Sequence, residues 1–249
     1  MSDCTGTAFT LTVFGESHGP AIGAVVTGLR PGTVIDEAFV ARQMDKRRAK
    51  KDGLSTTRTE ADKVKILSGV YGGFTTGTPV TLVIENQNTR SGDYAKTVGL
   101  ARPGHADYTA HVKYAGFEDP RGGGHFSGRV TAALTAAGAL CQSILAAKGV
   151  ILATHIARVA DACDAPLAFE ESALRAQLEA LEQNTGFPVL DEAAGAEMQT
   201  RIRAAAAEGD SVGGVLETAV LGLPAGLGEP FFDSVESVLA GLLFSIPAV

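Results

Sequence analysis

Thirty of the 249 residues are glycine, and nineteen of those thirty lie within the first 128 positions. An average chain carries roughly 7% glycine, so the front half has many places where the backbone can take a positive φ or lie close against another group. The glycines follow no Gly-X-Y period, which excludes a collagen-like helix. They punctuate short apolar runs instead, so this half reads as strands and helices joined by glycine-bounded loops. Hydrophobic residues at 45% and charged residues at 20% describe a globular chain, long enough to bury a core without disulfide or metal staples. No run of eighteen apolar residues marks a membrane span, and the N-terminus has neither a signal-peptide nor a transit-peptide pattern. Cys4, Cys141 and Cys163 are odd in number, far apart and never in a C-x-x-C pair. The expectation is a cytoplasmic protein without a disulfide framework or a zinc site.

Periodicity places the elements. Ala8–Phe14 and Ala21–Gly28 alternate like half-buried strands around the turn GESHG, which predicts a hairpin. Asp36 has the character of an N-cap for a helix running to about Lys50. Lys63–Val70 and Val80–Asn86 are expected to pair antiparallel, with a turn over Tyr71–Gly77. Residues 87–125 read as largely irregular with one short helix near Tyr108–Ala115, and their His, Arg and Asp content favours a functional loop. Ser127–Lys148 is an Ala-rich helix in which Val130, Leu134, Ala137, Cys141 and Leu145 form one stripe. Beyond it come a strand over Ile151–Val159, helices over Phe169–Gln183 and Asp191–Glu208, a strand over Val212–Gly222 and an amphipathic helix over Asp233–Phe244. No repeat or low-complexity segment interrupts this order.

The net charge of −7 is unevenly spread. Residues 161–210 hold eleven acids and three bases, so the rest of the chain is close to neutral. Arg42–Asp52 holds six bases and two acids. Such a run is either a solvated helix end, where the helix dipole favours cations, or an anion site built on arginine forks.

Three stretches set reactive side chains between glycines: Gly15-Glu16-Ser17-His18-Gly19, Arg102-Pro103-Gly104-His105-Ala106-Asp107, and Arg121 through Arg129 (RGGGHFSGR). Histidine is the side chain best placed for proton transfer near neutral pH. GESHG matches G-x-S-x-G literally, but it joins two strands, whereas a nucleophile elbow leads from strand to helix. His105 and Asp107 lack the companions that a metal site needs, and His111 and His155 read as surface or packed residues. The triple glycine runs into a helix start at Ser127, where free N–H groups suit an anion, although Ser127 has an alternative reading as a plain N-cap. Neither dinucleotide-binding nor P-loop spacing is present.

Taken in order, FGESHGPAIGAVV, DKRRA, TTRTEAD, LSGV, IENQN, RPGHADYT, RGGGHFSGRVTAALTAAGA, DSVGG and GLGEPFFDSVESVLAGLLFSIPAV resemble the chorismate synthase family along the whole chain. The resemblance implies a mixed fold of α+β type, with a helical core sandwiched between antiparallel β-sheets, in a single domain over residues 1–249. It implies a trans 1,4-elimination of the 3-phosphate and a C6 proton from 5-enolpyruvylshikimate 3-phosphate, giving chorismate with reduced FMN and no net redox change. His18 matches the acid that meets the departing phosphate, and His105 matches the group that protonates or stabilises the reduced flavin. Ser17, Arg47, Arg48, Arg102, Ser127 and Arg129 match positions at the substrate's carboxylates and phosphate, and His125, Phe126 and Ser127 match the flavin-contacting segment.

The resemblance further implies a small anionic substrate, an external source of reduced flavin, no nucleic-acid or membrane partner, and a homotetramer. HFS stands where RSS is commoner, which exchanges a fixed charge for a titratable one. Gly53 stands where some relatives carry arginine, which argues against an NADP-linked role. The family pattern continues past SIPAV with a glycine-rich segment and an R-x-D-P stretch, so the expectation is a chain lacking the C-terminal third of that pattern. Two other readings remain open: an inactive flavin- or anion-binding remnant, and a structural subunit.

Overall fold

The computed structural model describes residues 3–50, 52–56, 60–88 and 99–249. By its internal contacts the chain forms two compact units, one of residues 1–48, 58–144 and 244–249 and the other of residues 49–57 and 145–243.

In the first unit, β1 (Cys4–Gly6), β2 (Thr10–Gly15), β3 (Ala21–Thr27), β4 (Val64–Ser68) and β7 (Val80–Glu85) form one antiparallel sheet in the order β1-β2-β3-β7-β4. The predicted turn after β4 contains a small hairpin of β5 (Val70–Tyr71) and β6 (Phe74–Thr75). Register explains the sheet's buried face. Ile22 opposes Ile84, Ala24 opposes Leu82 and Val26 opposes Val80, and all six side chains are buried. These period-2 positions pack against Val40 and Met44 of α1 (Glu37–Arg47) and the alanines of α3 (Thr131–Ala146). Asp36 caps α1 by accepting from Phe39 N–H, as expected, but the helix stops at Arg47 rather than Lys50.

The buried face of α3 differs from the predicted stripe. Ala132, Ala133, Ala136, Ala137, Ala139 and Leu140 are buried, while Leu134, Cys141 and Leu145 are only half-buried. Small side chains let the helix approach the sheet closely, so proximity rather than side-chain size decides which face is enclosed. Gly128–Ala146 is long and apolar enough by composition to cross a bilayer; here its alanine face belongs to this core.

Of residues 87–125, positions 89–98 lie outside the described residues. The remainder includes α2 (Asp107–Lys113), where a short helix was expected, and a 3-10 turn over Arg121–Phe126.

The second unit has an antiparallel sheet of β8 (Ile151–Val159), β9 (Ala162–Cys163) and β10 (Gly214–Leu221) in the order β10-β8-β9. Leu178 and Leu181 of α4 (Glu171–Gln183) pack with Ala153 on this sheet. Glu170 caps α4, and Asp191 caps α5 (Glu192–Ala207). The last helix, α6, spans Val235–Leu243. His155 is buried between two carboxylates, with Nδ1 2.7 Å from Asp164 and Nε2 3.0 Å from Glu217.

Candidate functional site

The GESHG turn lies between β2 and β3, so it closes a hairpin, the strand-to-strand setting that argued against a nucleophile elbow. Ser17 is 1% exposed and His18 9% exposed. The turn is tied to the triple-glycine segment, since Ser17 N–H donates to Gly124 C=O at 3.0 Å. His125 Nδ1–H reaches Gly15 C=O at 2.7 Å.

Glycines 122 to 124 do not simply lead into a helix. Their φ values are 62°, 85° and 54°, which break the 3-10 turn over Arg121–Phe126, and a second 3-10 turn over Gly128–Val130 precedes α3. Lack of a side chain is needed there for a second reason. A Cβ on Gly122 would lie 2.3 Å from Cε1 and Nδ1 of His18. One on Gly123 would lie 2.7 Å from His105 Cε1 and 2.9 Å from His105 Nε2. Two histidines from separate loops thus abut consecutive glycines.

His105 is oriented by its neighbours. Its Nδ1 is 2.6 Å from Asp107 Oδ1, which places the proton on Nδ1 because the carboxylate can only accept, and Nε2 lies against Gly123. Arg102 grips Asp107 through Nε at 2.8 Å and Nη2 at 2.9 Å, with its own backbone N–H adding a third bond. These Arg102 bonds, joined by His105 and opposed by burial, hold the Asp107 carboxyl far below the usual carboxylate range. Asp119 is held low in the same way by Arg121.

Two of the predicted arginines, Arg47 and Arg129, fall into a second cluster. Asp62, at φ 48° and 4% exposed, ion-pairs with Arg47 at 2.9 Å and with Arg129. Two guanidinium groups therefore share one carboxylate, leaving a net positive charge. Burial pushes the Arg47 guanidinium down, Asp62 opposes this, and Arg129 adds to it. Arg129 Nη2 is buried without a hydrogen-bond partner among the described residues. Arg48 is turned differently, towards Ala61 C=O and Asp45. Ser127 accepts from Arg129 N–H at 3.3 Å, the N-cap alternative raised by its sequence.

Asn86 connects the clusters. Its amide donates to Glu16 C=O at 3.0 Å and Gly19 C=O at 2.9 Å, and its Oδ1 accepts from Arg129 Nε at 2.9 Å. Neither Asn86 nor Asp62 stood out as a site residue, although both lie in quoted motifs, IENQN and TTRTEAD. Nothing in the sequence marks Asp62 as buried, so its pairing with Arg47 and Arg129 carried no signal there.

A cavity of about 700 Å³ opens beside these loops. Phe14, Tyr108, Tyr114, Phe126, His125 and Arg102 are among its lining residues; His18, His105, Ser17, Arg47, Arg48, Ser127 and Arg129 are not. Its size suits a small organic ligand, and its aromatic walls suit a flat ring. Among the described residues, no cluster of His, Cys, Asp and Glu could hold a metal ion.

The site thus sets two histidines against consecutive glycines and two arginines around one buried acid, on an antiparallel mixed α/β scaffold. Comparison with known proteins gives the family. The family model described as chorismate synthase matches residues 9–249. Chorismate synthase of Methanosarcina barkeri is 43% identical over 244 residues, covering 98% of this chain and 65% of that relative. The Dehalococcoides mccartyi enzyme is 41% identical over 249 residues, covering all of this chain and 67% of its own length. A solved structure described as "Crystal Structure of Chorismate Synthase" superposes with a TM-score of 0.75 at 25% identity, covering 98% of this chain and 67% of the other. The chain belongs to the chorismate synthase family, and it spans about two thirds of the length of these relatives.

Proposed function

We propose that the chain takes part in converting 5-enolpyruvylshikimate 3-phosphate to chorismate and phosphate by trans 1,4-elimination. The observation that carries this reading is the convergence of His18 and His105 on Gly122 and Gly123, with the Arg47–Asp62–Arg129 cluster tied to the same turn by Asn86. Phosphate is a poor leaving group, so its loss needs a proton or fixed cations where negative charge builds up. His18 would hold a proton for the departing phosphate oxygen. Arg47 and Arg129 would meet the substrate's anionic groups, and the unpartnered Nη2 of Arg129 offers a donor that the fold does not satisfy.

The size and aromatic walls of the cavity suit the flat ring of reduced FMN, the cofactor that the family uses, whereas Asp3, Glu16, Asp107, Glu118 and Asp119 in the same lining do not suit its phosphate. His125, Phe126 and Arg102 would hold the flavin, and when bound it supplies electron density to the substrate's allylic system as phosphate leaves. His105, with Nδ1 committed to Asp107, would present Nε2 to the ligand. Asp107, kept ionised by Arg102, is the acceptor that holds the imidazole in place.

Anaerobic incubation of the chain with the enolpyruvyl phosphate and chemically reduced FMN tests the reading. Phosphate release that depends on reduced FMN is the expected result. Ligand-induced stabilisation without any phosphate release would favour the inactive binding remnant instead.

A further inference from the structure

We infer that Asn86 is a positioning residue that locks the His18 turn to Arg129, so that the proton donor and the anion-binding guanidinium keep a fixed separation. The inference rests on the function proposed above and turns the contact made by Asn86 into a catalytic consequence that can be measured. Asn86 follows directly after β7, and its backbone N–H donates to Pro20 C=O at 3.1 Å. That bond pins the residue at the mouth of the β2–β3 hairpin. Three side-chain bonds then leave the amide one possible orientation. Both N–H protons go to carbonyls of the turn, at Glu16 and Gly19 on either side of Ser17 and His18. The oxygen goes to Arg129 Nε.

No other residue type of this length can do the same. Aspartate offers the acceptor without the donors, and it would set a carboxylate against two carbonyl oxygens. Leucine offers neither. Of the remaining nitrogens of the same guanidinium, Nη1 goes to Asp62, and Nη2 is buried with no hydrogen-bond partner among the described residues. Asn86 and Asp62 therefore fix the plane of Arg129 from two edges. Glu16 C=O also accepts from Gly19 N–H at 3.1 Å, so the carbonyl that Asn86 holds is part of the turn's own hydrogen bonding. The Asn86 amide is thus the shared hinge point of a histidine loop and an arginine that arrive from opposite ends of the unit's sequence.

The test compares the unmodified chain with Asn86→Asp and Asn86→Ala in two measurements. Amide hydrogen exchange reads the lock without catalysis. In both variants the Ser17 and Gly19 amides should exchange about tenfold faster or more, since two local hydrogen bonds are gone. The Ala24 and Leu82 amides in the β3–β7 ladder should keep their rates, whereas a general loss of stability would accelerate all four. Steady-state kinetics reads the consequence. Asn86→Asp keeps the Arg129 acceptor, so kcat should fall by about 10²-fold with KM within about threefold, while Asn86→Ala should also raise KM. Unchanged exchange at Ser17 and Gly19 overturns the inference, as does equal acceleration of the strand amides. An unmodified chain that releases no phosphate overturns the proposed function alone, and the exchange data still decide the lock.

Discussion

Gly122→Ala adds one methyl group at the point where the two loops touch. That carbon would lie 2.3 Å from Cε1 and Nδ1 of His18 and 3.1 Å from Ser17 Oγ. Carbon atoms in contact sit about 3.5–4.0 Å apart, so the imidazole must retreat by roughly 1.2 Å or more, or the glycine segment must. His18 is buried and Ser17 beside it is bonded to Gly124, so the turn has little room to yield without breaking that bond. The new side chain would also stand at φ 62°, which costs about 1–2 kcal/mol for an L-residue. A displacement of about 1 Å at a reacting group is enough to cost on the order of 10²-fold in rate. Anaerobic phosphate release at saturating substrate should therefore fall by about that factor, while urea unfolding shows a loss of about 2–5 kcal/mol, the backbone strain plus the cost of overpacking. Gly128→Ala is the control, because its added carbon would meet nothing within 4 Å. If Gly122→Ala turns over at the rate of Gly128→Ala, the contact between the glycine turn and His18 has no catalytic meaning.

Other consequences are equally open to measurement. Asp62→Ala leaves Arg47 and Arg129 facing each other around a buried gap and should destabilise the chain by about 3 kcal/mol in urea unfolding, near the low end for broken buried pairs because Arg47 is partly exposed. Ala136→Leu forces a large side chain into the closest part of the α3 packing and should cost about 1–3 kcal/mol by the same measurement. The Asp107, Asp119 and Asp164 carboxyls are all held below their ordinary values. Their contribution to stability is complete above about pH 4 and is lost as pH falls towards the folded-state values. Unfolding midpoints measured from pH 6 down to pH 3 should drop, and Asp164→Asn should flatten part of that drop.

Much of this architecture is legible in the residues because local patterns and tertiary packing agree. The alternation in Ala21–Thr27 and Val80–Glu85 becomes the buried face of the first sheet, and Ile151–Val159 is a strand over the expected range. Asp36 caps its helix because an acceptor at that position satisfies an otherwise unbonded N–H. The stripe on α3 was misread because alanines carry little hydrophobic signal, yet they decide how near a helix can come. Cys4–Gly6 went unseen as a strand because three exposed edge residues have no period to detect. In the candidate site, histidine, arginine and glycine announce themselves by chemistry and spacing. Asn86 and Asp62 do not, since their importance lies in which backbone carbonyls and guanidinium groups surround them after folding. The fate of Ser127 turned on the same limit: its sequence allowed a cap or an anion contact, and its Oγ is at Arg129 N–H. His155 shows the limit again, as its two carboxylate partners come from positions 9 and 62 residues away.

The most direct measurement is single-turnover phosphate release under anaerobic conditions, with reduced FMN in excess, for the unmodified chain and for His18→Ala. The account predicts release by the unmodified chain and a loss of about 10²–10⁴-fold in the variant, the range for a removed general acid. Equal rates from the two proteins would contradict it.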